Sequence, residues 1–243
     1  MKLKTTALLM LGALVLSACD QGESPAQKAI GTALDQWAAQ PNGDGSVAGE
    51  FKKDYPKAWD KIRSDAEVNY ANTNDVKGAR TAALLQIDTF MKAHQQDMAK
   101  ASDASLDALF DERRTLLQHL YKTNIETCAH LGTGGGVGKE DDVGAFKNDV
   151  AADRRLQLSL IHEAAGHPVT HEPFAWTPSE RAQIAQVYHR DYIVIPKEGM
   201  KGADYIIQCA GAADLDEIAK GFPADRKADL EADRIAKFPP ASS

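Results

Sequence analysis

Three of the chain's seven histidines and two glutamates fall together in His162-Glu163-Ala164-Ala165-Gly166-His167-Pro168-Val169-Thr170-His171-Glu172. Imidazole nitrogens ligate zinc and a neighbouring carboxylate can act as general base. His162, His167 and His171, with Glu163 or Glu172, are therefore the candidate metal set of a metal-dependent hydrolase or a metal carrier. The spacing works against a shared helical site. A helix turns about 100° per residue, so side chains four apart stand about 40° from one another, and those five apart, as His162 and His167 are, about 140°. Pro168 also ends the helix at His167. Ligands gathered from a helix end and a loop escape this objection. The competing reading is a polar helix end whose histidines cap carbonyls or face water.

In composition this segment resembles the zincin helix, from which it departs in the histidine spacing. Asn42-Gly43-Asp44-Gly45-Ser46 resembles the middle of an EF-hand loop, but Gln40 stands at the first ligand position and Phe51 at the last, with Glu50 one residue early. A turn built from favoured turn residues explains the same letters. Thr133-Gly134-Gly135-Gly136-Val137-Gly138-Lys139-Glu140 approaches a phosphate loop and lacks its first glycine and its final hydroxyl. No serine sits in a Gly-x-Ser-x-Gly elbow, so no catalytic residue is assigned. Trp37, Tyr55, Trp59 and Tyr70 line a groove or fill the N-terminal core, and core is the commoner fate of such stripes.

The N-terminus speaks to location. Lys2 and Lys4 precede an apolar run from Ala7 to Leu16, and Leu16-Ser17-Ala18-Cys19 follows. This resembles a bacterial lipoprotein export signal, which implies cleavage before Cys19 and acylation of that cysteine. A transmembrane anchor needs about 20 apolar residues, more than this run provides. The resemblance places the protein in the cell envelope, on the periplasmic face and attached to the membrane by lipid. Asp20 resembles the inner-membrane retention signal of many enteric bacteria and slightly favours that membrane; other bacteria read different positions, so inner and outer membrane both stay open. With Cys19 committed to lipid, Cys128 and Cys209 remain in an oxidising compartment, where one disulfide is the simplest outcome and two buried free thiols the alternative.

Removing residues 1–18 takes away two of the 28 basic residues and none of the 35 acidic ones, leaving a formal charge of −9. That argues against nucleic acid or anionic headgroups as partners. Periodicity and caps then divide the chain. Residues 1–18 are signal and 19–25 a lipidated tether. Residues 26–131 form an N-terminal helical half, 132–140 a glycine-rich linker, and 141–238 a C-terminal half, one domain with the first. Ser24-Pro25-Ala26-Gln27 and Thr177-Pro178-Ser179-Glu180 are capping boxes. Pro56 splits a segment whose second piece Asp54 caps, and Ser105 to Leu131 reads as one long helix. Tyr192 to Ile195 and Tyr205 to Ile207 make a small hairpin near 192–207 or are helix ends. Asp214 to Glu217 starts a short helix. Asp111 to Arg114 and Asp153 to Arg155 are similar segments in two successive helices.

The expected fold class is all-α, a helical bundle of about six to eight helices. The expected function is binding rather than catalysis: a helical adaptor, inhibitor or assembly module for an envelope protein, without a cofactor. The alternative is a zinc protein using His162 to Glu172.

Overall fold

A computed structural model describes residues 23–132, 146–191 and 200–237. Every regular element among them is helical: α1 (Pro25–Ala38), α2 (Gly43–Asp54), α3 (Pro56–Tyr70), α4 (Val76–Ala93), α5 (Gln95–Met98), α6 (Asp103–Thr123), α7 (Ile125–Gly132), α8 (Lys147–Gly166), α9 (Pro178–Asp191), α10 (Met200–Ala219) and α11 (Ala224–Lys237). None of the described helices is long and apolar enough to cross a membrane. Cys19, the signal and tether up to residue 22, and residues 133–145 and 192–199 lie outside the described residues.

The protein is an all-α bundle. Both capping boxes form: Ser24 Oγ accepts from the Gln27 N–H and Gln27 Oε1 from the Ser24 N–H, and Thr177 and Glu180 make the same exchange. The structure corrects or adds several boundaries. Asp54 does not cap α3, whose N-cap is Tyr55 without a side-chain bond. Asp75 caps α4 by accepting from the Gly78 N–H at 2.8 Å. The long helix breaks at Asn124, which separates α6 from α7. Tyr205 to Ile207 are helical, and α10 runs unbroken through Asp214 and Glu217. A short β-branched run is a weak local preference that packing overrides, and Asp216 inside α10 answers an arginine on α11 rather than starting a helix.

The core begins with period. Ile30, Leu34 and Trp37 bury one face of α1 against Phe51 of α2 and Trp59 and Ile62 of α3. Gly45 and Gly49 let α2 approach the end of α1: a Cβ on Gly45 would lie 2.5 Å from the Trp37 carbonyl oxygen, and one on Gly49 would meet the Ala38 carbonyl. Trp59 Nε1 donates to Asp35 Oδ1 at 3.0 Å, and Lys52 and Arg63 pair with the same carboxylate. Burial pushes Asp35 up, but these partners outweigh it and hold the carboxyl below its usual range.

The two sequence halves share this core. Helix α8 packs against α2 and α6, and α11 against α5 and α6, so Leu158, Leu160 and Ile161 of α8 and Ile235 of α11 join the N-terminal cluster. A second cluster joins the end of α6 to α7 and α10, with Cys128 bonded to Cys209 across a Cα separation of 5.1 Å. A third unites Phe110, Ala219 and Leu230 under Phe174, Trp176 and Phe222.

Candidate functional site

The three candidate metal ligands leave α8 in different directions. His162 is exposed and stands edge-on to Tyr55, ring centroids 5.9 Å apart. His167 is the C-cap, its N–H donating to the Glu163 carbonyl oxygen at 2.8 Å. Residues 167–177 then run without regular structure as a strap across the start of α6 and along α11. Val169 N–H donates to Lys100 O at 2.7 Å, and the Glu172 N–H to Asp229 Oδ1 at 3.1 Å. His171 is the strap's buried anchor: its Nε2–H donates to Ala101 O at 2.7 Å, while Nδ1 lies 3.6 Å from Asp103 Oδ1 and 3.8 Å from Asp229 Oδ1. The structure therefore does not bring His162, His167 and His171 together. Among the described residues no three His, Cys, Asp or Glu side chains are grouped to hold a metal ion.

Glu163, the candidate base, serves the start of α6 instead, accepting from the Ser102 N–H at 3.3 Å. Burial raises its carboxyl, but bonds from Ser102 and Ser105 and the neighbouring His167 outweigh that and hold it below the usual range. Glu172 contributes its backbone to the strap. In the EF-hand-like segment, Asn42 is the N-cap of α2 without a side-chain bond, and Asp44 pairs with Arg154 at 3.3 Å.

That segment instead forms one wall of an open groove of about 720 Å³. Trp37 and Gln40 end the first wall, and Asn42, Gly43 and Asp44 turn the chain into α2. The facing wall is one side of α4, where Val76, Lys77, Arg80, Thr81 and Leu84 recur with helical spacing, and Lys147 of α8 closes one end. The groove's acidic group is neutralised, because Arg154 holds both Asp44 and, at 3.1 Å, Asp88 of α4. Its cations are not: Lys77, Arg80 and Lys147 make no ion pair among the described residues. Arg80 Nε is buried without a hydrogen-bond partner. Of the aromatic residues singled out in the sequence, Trp59 belongs wholly to the core, Tyr55 and Tyr70 pack on it, and Trp37 both fills the core and lines the groove.

The sequence reading missed a buried layer of charge, although its signal was present. On α6 the apolar stripe Leu106, Phe110, Leu117 and Leu120 includes position 113, which is arginine. On α8 the buried row from Val150 to Ala164 passes through Asp153 and Gln157, and the inward faces of α10 and α11 carry Asp216 and Glu231. Arg113 bonds Asp153 at 2.9 Å and Glu231 at 2.5 Å, Gln157 bonds Asp153 at 2.5 Å, and Arg234 meets Asp216 at 2.5 Å. Charged residues on an apolar stripe must find one another, because an unpaired buried charge is costly. The layer joins α6, α8, α10 and α11. The similar segments on α6 and α8 play different parts, Arg113 binding Asp153 while Arg154 points the other way to α2 and α4.

Comparison of the chain with models of protein families, with curated protein sequences and with solved structures finds no match.

Proposed function

We propose that the chain is a lipoprotein of the bacterial cell envelope, anchored through Cys19 on the periplasmic face, whose helical body works by binding another envelope protein as an adaptor, inhibitor or assembly module. The observation that supports binding over catalysis is the use made of residues 162–172. His171 and Glu163, the groups best suited to ligate or to take a proton, are engaged in holding a strap and a helix start. The Cys128–Cys209 bridge supports the oxidising compartment, since such bonds persist in exported proteins. Five residues separate Cys19 from α1 and reach at most about 3.5 Å each, so the body is held within about 20 Å of the bilayer surface.

The test is cross-linking of the intact protein in its native membrane, followed by purification and identification of what accompanies it. A stoichiometric envelope protein, captured equally by His162→Ala/His167→Ala, is expected. Absence of such a partner, together with equimolar zinc in the purified protein that the double variant loses, would replace this reading with the metal one.

A further inference from the structure

We propose that the groove between the α1–α2 turn, α4 and the start of α8 is a binding site for a small organic anion, a phosphate or carboxylate head joined to an apolar body. This goes beyond the protein-binding reading; the anion site itself does not depend on that reading, and only the choice of a soluble ligand rests on the proposed lipid anchor at Cys19. Lys77, Arg80 and Lys147 project from two helices around one space, unpaired among the described residues, in a chain whose formal charge is −7. Local positive charge against an acidic background attracts and retains anions. Arg80 lines the groove, and since its side chain has no hydrogen bond or ion pair among the described residues, no protein group there competes with an anion for its guanidinium. The acidic group that would repel such a ligand, Asp44, is already held by Arg154.

The remaining lining sets the rest of the ligand. Trp37, Val76 and Leu84 offer apolar surface beside the cations, and about 720 Å³ falls within the range of small-molecule sites. A bare inorganic ion would leave that surface wet. The groove lies at the C-terminal end of α1, whose 14 residues separate it by about 21 Å from the helix end nearest the lipid tether. With α1 standing upright on its tether, that distance would set the groove clear of the headgroups of the protein's own membrane and favour a water-soluble ligand.

Isothermal titration of the purified full-length protein in phosphatidylcholine nanodiscs with phenyl phosphate tests the site, alongside phenol and inorganic phosphate. Phenyl phosphate is expected to bind with a dissociation constant below about 1 mM, at least tenfold tighter than either fragment, and to weaken as salt is raised. Lys77→Glu with Lys147→Glu changes two exposed side chains, and unaltered circular dichroism and melting temperature will show that the fold is kept. That pair of changes should weaken binding at least tenfold, as should Arg80→Gln. No heat of binding in the wild type, or equal affinity in the folded charge-reversed variant, overturns the proposal. Loss of phenyl phosphate binding in nanodiscs that contain phosphatidylglycerol would overturn the assignment to a soluble ligand and give the site to a lipid headgroup.

Discussion

Asp216 is fully buried on α10, and Arg234 meets it as an ion pair while neither of its oxygens has a well-formed hydrogen bond. Burial, with Glu231 beside it, pushes its carboxyl up to about 6 against the attraction of Arg234. The folded protein thus holds a proton more tightly there than the unfolded chain. The resulting stabilisation is complete below the ordinary value near 3.8 and is lost as pH rises through about 6. Other carboxylates, among them Asp35 and Glu163, are held low and act in the opposite sense, so the contribution must be isolated by difference. Urea unfolding of the wild type and Asp216→Asn between pH 4 and 8 should show the variant gaining roughly 1–3 kcal/mol relative to the wild type over that window. Parallel curves would mean that Asp216 does not hold the proton. A second expectation concerns His171. His171→Ala removes the bond to Ala101 O and leaves that carbonyl unsatisfied, which should cost about 1–3 kcal/mol and make residues 167–177 the first site of limited proteolysis. Cleavage elsewhere first would deny the strap its anchor. The histidine cluster was visible in the sequence, whereas this role was not, because the bond joins residues 70 apart.

Helices were legible where their signals are local. The Ser24 and Thr177 boxes mark the starts of α1 and α9, and the spacing of Ile30, Leu34 and Trp37 gives the buried face of α1. They were illegible where tertiary contacts decide. Asn124 interrupts a continuous apolar pattern because α7 must turn to place Cys128 against α10, and the run at Tyr205 stays helical inside an element that packs on α6, α7 and α9. Position 113 could have been read from the stripe it interrupts, but its partners on α8 and α11 could not. The groove was hidden for the same reason, since Lys77 and Lys147 are 70 residues apart in sequence. The disulfide is the element-scale joint open to test. It links residues 81 apart, and a loop of that length contributes about 4–5 kcal/mol on the chain-entropy model. Denatured but unreduced protein should show no thiol at Cys128 or Cys209, and Cys128→Ala with Cys209→Ala should lower stability by roughly 2–5 kcal/mol. Two reactive thiols would rule the bridge out.

At the scale of the whole molecule, one continuous set of helix contacts runs from α1 to α11, and the acidic balance of the chain surrounds a groove of the opposite sign. All-α architecture follows from periodicity and the scarcity of strand signals, which is why composition and caps foretold it without any relative for comparison. Position in the cell rests instead on the expectation drawn from Leu16-Ser17-Ala18-Cys19, and the proposed function depends on it: a lipid anchor there would fix the body beside the membrane and restrict its partners to those within reach. Two or three acyl chains give lasting attachment where one would not. The direct measurement is mass spectrometry of the N-terminus of the protein extracted from its native membrane. A chain beginning at Cys19 and carrying the mass of a diacylglycerol, with or without a further acyl group, is the predicted result. A chain that retains Met1 to Ala18, or one that begins at an unmodified Cys19, would contradict the account.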